Sequence, residues 1–377
     1  MSIVAFEGFD TYNDSATDAE RGLMSRSDLW GNRMNNGDGV YTAVRARNGG
    51  QCMYFDSGTS TSGPTSFYTK TWDRSHIITG IAFNNEQFDY YAYSGGPRVL
   101  GIISQRDINN NTNGRIECRL WPDNSPPYTC RMEIYGRESA DTGTAHTYHV
   151  PALARDVWHY VEIEYIEAPT NIGRVWVNST LVADIPWTKD CTPCLAVGFS
   201  GSHSSETNRI WYDDMYILDG ADSSDGAAFQ SRLGPISIRP TVLKGDAQTE
   251  WDASAGGDRY EEVDEIGAHD GDSSFITTPT ANLVQHFKTT AVDVSNTVLA
   301  VTVLAAAKQD PVGLQSSNFI FEAKEGANQD DVPNVSPLQP AYRQFSADYP
   351  TAPDGSGFTK EDVESIDWGV RSVGEGT

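Results

Sequence analysis

Short runs in which apolar and polar residues alternate recur along almost the whole chain of 377 residues, with hardly any helical period between them. An alternation of period two places successive side chains on opposite faces of a strand, so each run predicts a half-buried β-strand. The many Gly, Pro, Asn, Asp, Ser and Thr residues between the runs favour turns. This pattern predicts an all-β protein whose antiparallel sheets pack face to face as β-sandwiches.

A hairpin with two cysteines is the clearest local prediction in the first half of the chain. Residues 115–121 and 128–135 alternate on either side of a proline-rich turn. Cys118 and Cys130 flank that turn almost symmetrically, so we expect them to lie opposite each other, close enough to be oxidised outside a cell. Further strands are predicted over 158–166, 174–178, 181–185, 195–199 and 210–218.

The polar, glycine-bearing segment 220–226 is the clearest break in the chain. We therefore expect a first β-sandwich domain over 1–220, a linker over 221–235 and a second β-sandwich domain over 236–377. The linker is the expected site of first proteolysis. In the second domain, the pattern predicts strands over 237–243, 298–306, 318–322, 342–346 and 368–371, and a short helix over 359–364 with Thr359 as its N-cap.

The charge of the chain excludes some classes of partner. It has 52 acidic and 27 basic residues, a net charge of −25 spread over both halves. Nucleic-acid backbones and anionic membranes need the opposite sign, so neither is an expected partner. The N-terminal residues 1–14 lack the basic and apolar regions of a signal peptide, and we expect synthesis in a cytoplasm.

Cofactor and enzyme motifs give no positive prediction. Cys191 and Cys194 have the spacing of a redox or zinc pair, but they lie next to extended runs and no second pair of ligands follows. The seven histidines are scattered. No nucleophile elbow, phosphate-binding loop or dinucleotide fingerprint is present. We therefore expect no cofactor, no metal and no enzymatic activity.

An ordered series of short motifs resembles a known group of proteins. The motifs are EGFD at 7–10, WHYVE at 158–162, GRVWVN at 173–178, WYDDMYILDG at 211–220, TEWDAS at 249–254, YEEVD at 260–264, DGDSSFI at 270–276 and YPTAPD at 349–354. Together they resemble tailed-bacteriophage virion structural proteins with a concanavalin A-like (laminin-G-type) jelly-roll domain followed by a second β-sandwich domain.

The resemblance implies a non-enzymatic virion protein of the tail, a fibre or another appendage, assembled in several copies. Its implied partners are other virion proteins and copies of itself, with host surface polysaccharide as a further candidate. A capsid decoration or cement protein is the alternative, and a virion-associated glycan hydrolase is a third. Fold alone does not choose among them.

The strand around Glu162 holds the most suggestive carboxylates. Concanavalin A-like glycanases carry a Glu-x-Asp-x-x-Glu strand whose carboxylates flank the scissile bond. Here Glu164 stands where that pattern has Asp, and alternation places Glu167 on the face opposite Glu162. We therefore expect a solvated acidic face rather than a catalytic pair, with Trp158 and His159 packing at the strand edge.

Asp213 and Asp214 are the candidate ligands for a cation. Calcium prefers carboxylate and carbonyl oxygens, and lectins of this architecture place acidic pairs near a sugar site. The surrounding apolar residues mark a core strand, so at most one of the two carboxylates is expected to reach solvent. Calcium binding and a purely structural role both stay open.

Overall fold

The structure, a computed structural model, describes two compact units, 1–239 and 240–377. The described residues are 3–9, 30–34, 40–43, 47, 52–56, 66–69, 74–87, 101–107, 113–122, 130–139, 145–167, 170, 172–186, 193–198, 209–264, 272–292, 297–309, 316–333, 338 and 340–374. Cys191 of the CxxC pair lies outside them. Among the described residues, no helix has the length and hydrophobicity needed to cross a lipid bilayer.

The first unit contains two antiparallel sheets. Its strands are β1 (Ile3–Glu7), β2 (Trp30–Met34), β3 (Val40–Ala43), β4 (Cys52–Asp56), β5 (Ser66–Thr69), β6 (His76–Gln87), β7 (Gly101–Asp107), β8 (Asn113–Pro122), β9 (Cys130–Ser139), β10 (Ala145–Leu153), β11 (Trp158–Ile166), β12 (Ile172–Val177), β13 (Thr180–Pro186), β14 (Pro193–Gly198) and β15 (Arg209–Asp219). One sheet has the order β13-β12-β11-β6-β15-β4-β3, with β1 also on β15, and the other has the order β10-β9-β8-β7-β14-β5-β2.

The core of the first unit lies between these two sheets. Alternate residues of β6, β11, β12 and β15 in one sheet pack against β8 and β9 of the other. Ile81, Val161 and Ile217 come from the first sheet, and Ile116 and Ile134 come from the second. The expected β-sandwich is therefore present, and strand neighbours that are distant in sequence, such as β6 and β15, give it a jelly-roll connectivity.

The predicted hairpin is confirmed, but the predicted position of its cysteines is wrong. β8 and β9 pair antiparallel, with Cys118 opposite Ile134 and Cys130 opposite Pro122. Symmetry about the turn in sequence did not fix this register, because the side chain of Cys118 faces the core. Cys118 is a free, buried thiol, and burial raises its pKa far above the ordinary value.

Residues 226–238, here called the covering segment, belong to the first unit and include part of the predicted linker. Phe229 and Ile236 are buried, and a short 3-10 helix (Ala227–Gln230) lies beside β15. The predicted strand 237–243 is wrong, since residues 237–242 form no strand. The backbone N–H of Ile238 binds a side chain of the first unit instead, and Pro240 has no N–H to donate to a ladder.

The second unit is a smaller β-sandwich. Its strands are β16 (Leu243–Thr249), β17 (Asp252–Ala253), β18 (Ile276–Thr277), β19 (Val284–Thr289), β20 (Val301–Ala307), β21 (Ser316–Glu325), β22 (Asn328–Pro333), β23 (Arg343–Tyr349) and β24 (Asp367–Gly374). A five-stranded sheet, β16-β19-β24-β21-β22, faces the two-stranded sheet β20-β23. Phe321 and Trp368 from the first sheet and Phe345 from the second share one core.

The predicted C-terminal helix is confirmed as α1 (Lys360–Ser365). The Thr359 hydroxyl accepts the N–H of Asp362, and the Asp362 carboxylate accepts the N–H of Thr359, which forms a capping box. Val363 is the buried residue of this helix, and its carbonyl accepts the indole N–H of Trp368 at 3.1 Å.

Candidate functional site

Glu162 lies on the face of β11 that points away from the core, yet its side chain is only 1% exposed. The Tyr216 hydroxyl donates to Glu162 Oε1 at 2.5 Å, and the backbone N–H of Gly234 donates to the same oxygen at 2.9 Å. Arg232 forms an ion pair with Oε2, and its guanidinium stacks over the Trp176 ring at 4.5 Å. The expected solvated acidic face is therefore wrong at this position, because the covering segment buries it.

Tyr216 binds the covering segment, and Gly80 leaves the space that the Tyr216 ring occupies. A Cβ at Gly80 would lie 2.2 Å from the Tyr216 ring, so the ring fills the space above β6. The Tyr216 hydroxyl also accepts the N–H of Leu233 at 3.2 Å. Both carboxylate oxygens of Glu162 and the hydroxyl of Tyr216 thus have hydrogen-bond partners, as stable burial requires.

Glu164 is the second carboxylate on this face, and it is 9% exposed. It contacts His76 Nε2 at 3.0 Å and Arg174 at 3.4 Å. Burial alone would raise the pKa of Glu164, but the hydrogen bonds and charges of His76 and Arg174 outweigh it and lower the pKa below its ordinary value. Glu167 lies beyond the end of β11, where its backbone N–H binds Ser75.

His159 packs as a structural residue, as the sequence suggested. Its ring is 5.5 Å from that of Phe83. The Asn178 side-chain amide approaches Nδ1 at 3.0 Å, and Nε2 lies 2.9 Å from the carbonyl of Ala154. These two contacts, one at each ring nitrogen, fix the orientation of the imidazole. Asn178 stands in the β12–β13 turn with a positive φ of 48°.

Asp213 and Asp214 sit at a β-bulge in β15, and neither reaches solvent. Asp213 accepts the N–H groups of Arg47 and Asp214, both at 2.8 Å. Asp214 accepts the N–H of Ile238 at 2.7 Å and the Arg47 guanidinium at 3.0 Å. All four carboxylate oxygens therefore accept N–H donors, and this arrangement ties the bulge to the covering segment.

The stability of the first unit should depend on pH through the ionisation of Asp214. Burial raises its pKa from 3.8 to about 6, against the opposing hydrogen bonds of Ile238 and Arg47. The folded state therefore holds this proton more tightly than the unfolded state, and the first unit should lose stability as the pH rises from about 4 to about 6, by up to about 3 kcal/mol. In Asp214→Asn this slope of stability against pH should disappear. Urea unfolding followed by pulsed hydrogen exchange and mass spectrometry reports each unit separately.

The control for this experiment is Asp354→Asn, which changes an exposed aspartate of the second unit. It should leave the slope of the first unit as it is in the parent chain. Slopes are compared rather than absolute stabilities, because asparagine also alters the contact with Arg47. An unchanged slope in Asp214→Asn would show that another group titrates.

The second unit holds a buried charged cluster that sequence reasoning missed. His286 Nε2 lies 3.0 Å from Glu322 Oε2, and these residues are 2% and 1% exposed. Arg371 binds the other oxygen of Glu322 and also Asp331, the latter at 2.6 Å. Burial would raise the pKa of Glu322, but His286 and Arg371 lower it overall.

The cluster depends on a glycine between its two central residues. Gly369 in β24 pairs with His286 on one side and Glu322 on the other. Because Gly369 has no side chain, the imidazole reaches across the strand to the carboxylate. His286, Glu322 and Gly369 come from strands that are far apart in sequence, so no short sequence motif predicts that they meet.

In both units, buried carboxylates are bound in ion pairs with arginine. A retaining glycosidase needs two carboxyl groups about 5–5.5 Å apart around the scissile bond. Glu162 and Glu164 are each occupied by cationic and hydrogen-bonding partners within the first unit. In the described part of the chain, no group of three or more His, Cys, Asp or Glu residues could hold a metal ion.

Comparison with known proteins gives only distant similarity. No protein-family model matches the chain, and no curated protein does. Alginate lyase vAL-1 from Chlorella virus is 14% identical, with 58% of this chain and 99% of that one covered and a TM-score of 0.38. The carbohydrate recognition domain of Emp47p is 11% identical, with 57% and 96% covered and a TM-score of 0.32. Similarities at this level carry no inference about what this chain binds or catalyses.

Proposed function

We propose that this chain is a non-enzymatic structural protein of a tailed-bacteriophage virion, tail-associated or part of a fibre or appendage, and present in several copies. Its partners are other virion proteins and further copies of itself. A capsid decoration or cement protein is the alternative placement. The proposal builds on the ordered series of motifs that resembles such proteins.

The observation that carries the non-enzymatic part is the burial of Glu162. This carboxylate, the best catalytic candidate in the sequence, accepts hydrogen bonds from Tyr216 and Gly234 and forms an ion pair with Arg232. A general acid or nucleophile must instead reach the reacting atoms of its substrate. Glu162 therefore serves to fix the covering segment to the sheet.

The arrangement of the resembling motifs supports the structural part. Residues 158–162, 173–178 and 211–220 fall on β11, β12 and β15 and on the residues that directly follow the last two strands. These three strands belong to one sheet of the first unit. The motifs thus describe a shared framework rather than a set of converging reactive groups.

The test begins with particles of the phage that encodes the chain. Quantitative mass spectrometry of purified particles should find this chain at several copies relative to the major capsid protein. A density map of the particle then separates tail, fibre and capsid placements. Absence of the chain from infectious particles would overturn the proposal.

A second measurement tests for catalysis. The full chain is incubated with host surface polysaccharide and other acidic and neutral glycans, alongside Glu162→Gln and Glu167→Gln. We expect none of the three proteins to shorten the polymers. Release of products by the parent chain that is lost in a folded Glu162→Gln would establish a glycan hydrolase instead. Binding without cleavage would identify a glycan partner and leave the structural role in place.

A further inference from the structure

The edge strands of the second unit are not alike. Edges are commonly guarded by charged residues or proline, which discourage pairing with another chain. Three of the four edge strands of the five-stranded sheet and of the β20-β23 sheet follow this rule. Their charged residues are Lys244 and Asp246 in β16, Asp330 and Asp331 in β22, and Arg343 and Asp348 in β23.

The fourth edge strand, β20, has no such guard. Residues 294–307 contain no charged residue and no proline. Within the described residues, β20 pairs with β23 and with no other strand. Its odd-numbered residues pack on the core, whereas Leu304 points outward and is 37% exposed. Leu299, just before the strand, is 38% exposed.

We propose that β20 pairs antiparallel, edge to edge, with β20 of a second copy of this chain. The two-stranded sheets of the two copies then join as one four-stranded sheet in the order β23-β20-β20-β23. This inference rests on the proposed function, which requires contacts between copies, and it names one such contact.

The length of the strand fixes the register of this contact. Residues 301–307 of two antiparallel copies overlap fully when a two-fold axis passes beside Leu304. Each Leu304 then lies opposite the Leu304 of the second copy, and the outward-facing N–H and C=O groups of both edges bind each other. Such a contact is self-complementary, as an isologous interface must be.

Charge favours a second copy as the occupant. The second unit, residues 240–377, carries 23 acidic and eight basic residues, so most surfaces of two copies repel each other. β20 itself carries no charged residue, so the residues that pair across this contact place no two carboxylates opposite each other. A basic protein would gain more by binding the acidic surfaces than this edge. Added salt should therefore strengthen the contact by screening the remaining repulsion.

The test uses the full chain in sedimentation velocity and light scattering. The parent chain should form a dimer that strengthens with salt. Leu304→Lys should abolish the dimer at concentrations where the parent chain is dimeric, since it places two ammonium groups opposite each other. The matched control is Leu181→Lys, which changes an exposed leucine (48%) on a strand of the first unit and should dimerise as the parent does.

A charge-swap mixture distinguishes the proposed register from general damage. Leu304→Lys and Leu304→Glu should each stay monomeric, whereas their equimolar mixture should recover the dimer. A monomeric parent chain at all salt concentrations, or a dimer unaffected by Leu304→Lys, would overturn the inference. The result is independent of the particle analysis: a chain found in virions but monomeric in solution refutes this contact alone, and a β20 dimer absent from virions refutes the proposed function alone.

Discussion

Replacing Gly369 with alanine is expected to destabilise the second unit by about 3 kcal/mol or more. The new Cβ would lie 2.0 Å from the carbonyl oxygen of Gln285 and 2.8 Å from the Cα of His286. These are backbone atoms of the neighbouring strand, which cannot rotate away as the end of a side chain can. The strands must separate or His286 must leave Glu322, and Glu322 would then remain buried without one of its partners.

The matched control for this prediction is Gly245→Ala in β16 of the same sheet. A Cβ at Gly245 meets no atom within 4 Å, so its effect should stay within about 0.5 kcal/mol. Urea unfolding with pulsed hydrogen exchange follows peptides of the second unit in both variants. Equal midpoints for the two alanine variants would show that β24 does not approach β19 as closely as described.

Replacing Arg232 with methionine is expected to destabilise the first unit by about 2–3 kcal/mol and to release the covering segment. The change leaves the buried Glu162 carboxylate without its cation, and it removes the stacking of the guanidinium on Trp176. Removing one partner of a fully buried ion pair costs about 3–5 kcal/mol. The smaller value expected here reflects the 27% exposure of the Arg232 side chain.

Limited digestion with thermolysin, which does not require a basic residue, measures the release. From the sequence alone, first cleavage was expected in the linker 221–235. The hydrogen bonds of Leu233, Gly234 and Ile238 reverse this expectation for the covering segment, which should be protected in the parent chain and cut early in Arg232→Met. Arg232→Lys, which keeps a cation, should be cut in the covering segment at a rate between those of the parent chain and Arg232→Met. Lys244→Met removes a cation from the second unit and should leave the digestion pattern unchanged. Early cutting within 226–238 in the parent chain would contradict the anchoring described here.

Alternating residues were sufficient to predict several elements of this fold. β11, β15 and the β8–β9 hairpin lie where the period of two placed them, because a strand with one buried face must alternate. The capped helix was equally predictable, since Thr359 and Asp362 are close in sequence and satisfy each other's backbone groups.

The same alternation gave the wrong environment for Glu162, and symmetry about the turn gave the wrong partner for Cys118. A period of two tells which residues share a face, but it does not tell what covers that face or which residue lies opposite. The outer face at Glu162 is buried because Arg232, 70 residues later in the chain, returns over the sheet. The partner of Cys118 depends on the register between two strands, which the core-facing side chains set.

The sequence by itself therefore determined that this chain folds into β-sandwiches, because periodicity and turn residues are local properties that each segment carries. Only the tertiary structure decided which charges are buried and how they are neutralised. The pairing of His286 with Glu322 across Gly369 joins three strands whose order in the sheet differs from their order in the chain. Such partners are set by strand order and close packing, and these arise when the whole unit assembles.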